Sequence, residues 1–177
     1  MSAHQPLIAR LKTAPVVHDA AAAKAALAEL AAAARHAEGA SDLTAQLRDK
    51  KLRPLLLAVA DHSPFLWRLA LGDPARLARL VASAPEDAID AVAQRLDDAG
   101  ATVGDAAELM RILRRAKQEA SLLIALADLG GVWDAVEVTR ALTRFADAAV
   151  GCALRFLLLE ADAAGKLALP SRDAPED

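Results

Sequence analysis

A chain of 177 residues is long enough for one well-buried core and short for two. Its 21 Lys and Arg against 24 Asp and Glu give a net charge of −3, which leaves no broad basic field to attract nucleic acid or an anionic membrane. Tyr is absent and aromatics make up 3% of the residues, while Ala and Leu dominate. That is material for helices, because Ala and unbranched side chains lose little freedom in a helix, and it leaves few residues suited to strands.

The mean hydropathy of +0.23 raises the question of a membrane span. Each apolar stretch is broken by charge, at Asp61 and Arg68, at Asp128 and Asp134, and at Arg155 and Glu160. None reaches the roughly 18 to 20 residues that a spanning helix needs. Pro6 and Pro15 and the lack of a sustained apolar run argue against a secretory signal. The single cysteine, Cys152, has no internal partner, which suits a reducing compartment and a cytoplasmic location.

In chain order, residues 1–17 read as an irregular lead-in with one short helical turn around Leu7 to Lys12. A helix over His18 to Glu38 carries Leu27, Leu30 and Ala34 as a thin apolar stripe, and Gly39 is placed to end it. Ser41 or Asp42 caps a short segment to about Lys50. Three prolines then punctuate the chain. Arg53-Pro54, Ser63-Pro64 and Asp73-Pro74 each open a short helix, the last near 74–82 with Leu77, Leu80 and Val81 inward and Arg76 and Arg79 outside. Pro85-Glu86-Asp87 opens another to about Ala99, burying Ile89, Val92, Ala93 and Leu96, with acidic residues at the positive end of the helix dipole.

Gly100 to Gly104 reads as a loop. Asp105 with Glu108, and Asp134 with Glu137, are D-x-x-E capping signatures for two long helices, about 105–129 and 134–164. The first buries Leu109, Ile112, Leu113, Ala116, Ala120, Leu123 and Ala127; the second buries Leu142, Phe145, Ala146, Ala149, Ala153, Phe156 and Leu157. The short Gly130-Gly131 connection predicts an antiparallel pair onto which the shorter upstream helices pack. The expected architecture is an all-α bundle: one domain over 18–164, then a linker over 165–177 with Pro170 and Pro175.

Chemistry-bearing residues are sparse in this pattern. His4, His18, His36 and His62 lack a second His or Cys at metal-ligand spacing, and His18 and His36 are about 27 Å apart along one helix, so exposed or capping roles are the simpler reading and no metal site is expected. Cys152 sits mid-helix and reads as a small buried thiol. Ser63 and Ser121 lack a nucleophile elbow, and Gly130-Gly131 lacks the Lys and Ser/Thr of a phosphate loop. The carboxylates Glu86, Asp87 and Asp90, and Asp97-Asp98, fit helix starts and solvated faces better than convergence on Mg²⁺. No catalytic residue is assigned. Arg111, Arg114, Arg115 and Gln118, flanked by Lys117, form a stripe opposite the apolar face of the first long helix. Guanidinium groups there can pair bidentately with an acidic partner surface or a neighbouring domain; the plainer alternative is an exposed face partly neutralised by Glu108 and Glu119.

Four segments taken together resemble one enzyme family. They are Ser63 to Arg68 (S-P-F-L-W-R), Leu109 to Lys117 (L-M-R-I-L-R-R-A-K), Leu122 to Trp133 (L-L-I-A-L-A-D-L-G-G-V-W) and Val138 to Asp147 (V-T-R-A-L-T-R-F-A-D). The chain is similar, over most of 50–169, to the helical N-terminal region of bifunctional glutamine synthetase adenylyltransferase/adenylyl-removing enzymes of α-proteobacterial type. The resemblance implies that such helices lead into a nucleotidyltransferase domain with an S-D-x-D metal motif, whose half of the enzyme removes AMP from glutamine synthetase by phosphorolysis. A second half adds AMP from ATP. After Pro170 come only Ser171 to Asp177, so no catalytic or metal residue carries over, and a non-catalytic scaffold for the downstream domain is expected. Mg²⁺ and ATP or phosphate are implied for the full-length family enzyme and no cofactor for this chain. The implied partners are downstream domains of the same polypeptide and glutamine synthetase; no residue singles out a regulatory PII protein. The alternative is a stand-alone helical protein-interaction module unrelated to adenylyl transfer.

Overall fold

Proline sets three of the helix starts, at Pro64, Pro74 and Pro85. In the computed structural model, which describes residues 5–171 and Pro175, the described residues form nine helices and no strand. These are α1 (Leu7–Arg10), α2 (Ala20–His36), α3 (Leu43–Gln46), α4 (Leu52–His62), α5 (Pro64–Gly72), α6 (Pro74–Ala82), α7 (Pro85–Thr102), α8 (Ala106–Leu129) and α9 (Ala135–Ala163). The all-α expectation holds.

The caps show why the boundaries fall there. The Ser63 hydroxyl accepts from the Leu66 amide at 3.3 Å and the Asp73 carboxylate from the Arg76 amide at 2.8 Å, each with proline in the first turn behind it. The Asp19 carboxylate caps α2 through the Ala21 and Ala22 amides. At α9 the capping box is reciprocal. The Asp134 carboxylate accepts from Val136 and Glu137, and the Glu137 carboxylate accepts from the Asp134 amide at 2.8 Å. At α8 Asp105 accepts from Glu108 at 2.8 Å.

The helices fall into two compact units, each built from two stretches of chain. Unit 1 comprises Met1–Ala88 and Ser121–Arg140; unit 2 comprises Ile89–Ala120 and Ala141–Asp177.

In unit 1, α2 packs on α4, and α6 meets α1, α2, α3 and α5. Leu27 and Leu30 of α2, Leu52, Leu55 and Leu56 of α4, and Leu77, Leu80 and Val81 of α6 are buried, at about 2 kcal/mol of transfer free energy per leucine. The last turns of α8 are buried on almost all sides through Leu122, Leu123, Ile124, Leu126 and Ala127. The lead-in belongs to this core, with Leu7 and Leu11 fully buried. The Leu7 amide donates to the Ser83 carbonyl at 2.8 Å. The Lys12 and Thr13 amides both donate to the Gly130 carbonyl, at 2.8 and 3.2 Å, and the Thr13 hydroxyl donates to the Leu129 carbonyl at 3.0 Å. Gly130 permits this closeness, since a Cβ there would press into the Leu11 side chain and lie 2.7 Å from the Leu126 carbonyl.

Two side chains in unit 1 depart from expectation. Arg76, expected outside, is 7% exposed, and its guanidinium donates to the Leu69 carbonyl at 2.7 Å. Burying a guanidinium is tolerable only with such partners, and the close approach of α5 and α6 supplies one. Glu86, expected on a solvated face, is partly buried. It accepts from Arg10 at 2.6 Å and from the Trp133 indole at 2.7 Å.

In unit 2, Ile89, Val92, Ala93 and Leu96 of α7 are buried as the spacing predicts. Arg144 lies 3.4 Å from Asp90, and Gly100 lies against Cys152, so α7 and α9 run in the same direction here. Arg95 pairs with Glu119 at 2.8 Å, and the brief connection after Thr102 turns α8 back along α7. In unit 2, therefore, α8 runs antiparallel to both α7 and α9. Gly100, expected in a loop, is helical. A Cβ on it would sit 3.0 Å from the Cys152 carbonyl oxygen and 3.1 Å from its Cα, so the missing side chain lets the two helix backbones meet.

The buried stripe of α9 is rotated from the expected one. It consists of Ala141, Ala148, Cys152 and Phe156, with Phe145, Ala149 and Ala153 half-buried, while Ala146 is exposed and Leu142 and Leu157 are 51% and 56% exposed. Size misled the periodicity argument. Close helix approach selects Ala141, Ala148 and Cys152 for the inside and leaves larger leucines outside.

Candidate functional site

The stripe on α8 follows from helical geometry. Residues 111, 114, 115 and 118 share one face at about 100° per residue, and Lys117 flanks them. All five are exposed. Among the described residues, Arg111, Arg114, Arg115 and Lys117 take part in no ion pair. Glu119, expected to neutralise part of the stripe, pairs with Arg95 at 2.8 Å, with its side chain 12% exposed. Unit 2 also presents apolar side chains to solvent: Met110 on α8, and Leu142, Val150, Leu154 and Leu157 on α9. An open groove of about 580 Å³ lies between the end of α7 and the end of α9, lined by Gly100, Val103, Phe156, Leu159 and Glu160 among others.

Among the acidic residues of α7, Glu86 acts as a structural tie. Burial alone pushes the Glu86 carboxyl up. Hydrogen bonds from Arg10, Trp133 and its own backbone amide, with the Arg10 charge, outweigh it and hold the group below the usual glutamate range. Asp90 faces Arg144, and Asp98 accepts from Gln94 at 3.0 Å. Cys152 is 2% exposed, and burial, helped by the nearby Asp97, pushes its thiol pKa up, away from the thiolate a nucleophile needs.

One cluster escaped sequence reasoning. His18, Asp61 and His62 lie together on unit 1, with one potential ligand atom from each inside a mutual distance of 4.8 Å. His36 takes no part in it, and His4 lies outside the described residues. Val16 to Asp19 run past the end of α4, and the chain bends at His18. A separation of more than forty residues between the two histidines hid the pairing.

No helix among the described residues is long and apolar enough to cross a membrane. Comparison with known proteins converges on one family. The model of the glutamate-ammonia ligase adenylyltransferase family matches residues 53–176. Three relatives carry the name bifunctional glutamine synthetase adenylyltransferase/adenylyl-removing enzyme. That of Rhodopseudomonas palustris (strain HaA2) is 46% identical over 130 residues, covering 73% of this chain and 13% of the relative. That of Brucella suis biovar 1 is 43% identical over 155 residues, covering 87% and 16%. That of Xanthobacter autotrophicus is 42% identical over 169 residues, covering 94% and 17%. The chain thus spans less than a fifth of the length of these curated relatives. No solved structure matches it significantly. With the family model covering more than half of its residues, the arginine stripe and the α8–α9 connection among them, the chain belongs to the glutamate-ammonia ligase adenylyltransferase family.

Proposed function

We propose that this chain is a non-catalytic helical part of an enzyme that adenylylates and deadenylylates glutamine synthetase in the control of nitrogen assimilation. Its role is to scaffold a neighbouring nucleotidyltransferase domain. The family match over residues 53–176 carries this reading. One side chain supports it: Glu86, among the carboxylates weighed for Mg²⁺, is held by Arg10 and Trp133. In the same reading Mg²⁺ and ATP or phosphate serve the neighbouring domain, and the protein works in the cytoplasm. The exposed face of Arg111, Arg114, Arg115, Lys117 and Gln118 is the docking surface for an acidic face of that domain, with glutamine synthetase as the substrate protein.

The deciding experiment is to incubate the purified chain with adenylylated glutamine synthetase, Mg²⁺ and phosphate. No phosphorolysis is expected, and turnover above the no-protein control would overturn the assignment of a non-catalytic part.

A further inference from the structure

We propose that His18, Asp61 and His62 form a surface site for a divalent transition metal of the zinc type, one that clamps the segment before α2 onto the end of α4. The cluster arises from the path of the backbone. Asp61 and His62 are the last two residues of α4, and the chain leaving Pro15 passes alongside them before α2 begins. The Asp61 carboxylate accepts from the His18 amide at 2.6 Å and the Asp19 amide at 3.2 Å, which fixes the backbone carrying the first imidazole. The His62 Nε2 lies 3.6 Å from the Asp61 Oδ2 and 2.7 Å from the Val16 carbonyl oxygen. The two imidazole rings stand edge to face with centroids 5.0 Å apart.

The donor set decides the class of ion. Two imidazole nitrogens and one carboxylate oxygen suit Zn²⁺, and Co²⁺ or Ni²⁺ as substitutes, whereas Mg²⁺ and Ca²⁺ require shells of oxygen. Three protein ligands leave a fourth, tetrahedral position for water. Metal–ligand bonds of about 2.1 Å place neighbouring donors of a tetrahedron roughly 3.4 Å apart. The donor atoms, all within 4.8 Å of one another, must therefore draw together by no more than about 1.4 Å. Both histidines are exposed and free to make that adjustment. His62 gives up its hydrogen bond to Val16 on metalation, and each Asp61 oxygen retains a lone pair beyond those used by the backbone amides.

Because the ligands come from both sides of the junction, the ion binds the folded arrangement and not the separated one, so it stabilises unit 1 by mass action. The test is calorimetric titration of the full 177-residue chain with ZnCl₂ at neutral pH, with thermal melts with and without the ion. Saturable one-to-one binding is expected, with a rise in Tm of about 5 °C at zinc well above its Kd. His18→Ala, whose ring touches only His62 in the cluster, should weaken binding by more than about tenfold, as should His62→Gln, while His36→Ala leaves it unchanged. MgCl₂ should give no heat. In proton NMR, zinc should shift the ring resonances of His18 and His62 and leave those of His36 in place, a readout that does not depend on the variants folding. No binding, or binding that survives loss of both His18 and His62, overturns the proposal.

Discussion

The two units use different packing economies. Unit 1 is filled with fully buried leucines contributed by almost every one of its helices, among them Leu7, Leu11, Leu30, Leu43, Leu55, Leu77 and Leu122. Unit 2 buries Leu96 and Val92, with Ile89, Leu109 and Phe156 close behind, but joins its helices largely through small residues: Ala93, Gly100, Ala116, Ala120, Ala141, Ala148 and Cys152. It leaves Met110, Leu142, Val150, Leu154 and Leu157 in solvent. Large side chains gain stability from area removed from water, whereas small ones gain it by letting backbones approach. The same alphabet of Ala and Leu thus makes a thick core in one region, and in the other a thin one with apolar and basic surface left exposed.

Substitutions can break this contrast at either end. The largest effect is expected from Leu55→Ala, which opens a cavity in the leucine-filled region at a cost of about 3 kcal/mol, read as a lower urea midpoint with unchanged m. Next comes Gly100→Val in unit 2. Its side chain meets the Cys152 backbone and cannot be relieved by a rotamer change, so a loss of roughly 2 kcal/mol is expected. Hydrogen exchange should then quicken in residues 89–102 and 148–156 while the amides of α4 stay protected; uniform loss would erase the distinction between the regions.

Glu86→Gln tests a polar tie within unit 1, at about 1 kcal/mol near neutral pH. The folded pKa of Glu86 is depressed, so its contribution is fully present above the ordinary value of 4.5 and is lost as pH falls through the folded value. Denaturation midpoints measured downward from about pH 5 should therefore fall less steeply in the variant than in the parent. The smallest effect is expected from Leu154→Gln on the exposed side of α9, within about 0.5 kcal/mol by thermal melting. A large loss there would mean that this face is already covered.

What was legible in the sequence was local. Ser63-Pro64, Asp73-Pro74 and the Asp134/Glu137 pair announce their helix starts because cap chemistry is decided within four residues. The arginine stripe was legible for the same reason, since its members are fixed by helical spacing alone. What escaped depends on tertiary approach. Gly100 reads as a loop until Cys152 is seen against it; Arg76 reads as solvent-facing until the Leu69 carbonyl is placed beside it. The rotation of the α9 face has the same origin: hydrophobicity ranks Leu142 above Ala141, but only the distance between helices says which of them fits inside. His18 and His62 came together through the course of a proline-containing segment that carries no periodicity of its own.

The bonds from Lys12 and Thr13 to Gly130 have a consequence for how the protein is born. During synthesis the first 88 residues of unit 1 emerge long before the segment that completes it, because Ile89 to Ala120 intervene. Leu11 and the amides beside it have no seat until the turn at Gly130 has left the ribosome, so these contacts, spanning some 117 residues, close late. Until then the nascent chain lacks the turn that covers Leu11 and Leu55 in the finished fold.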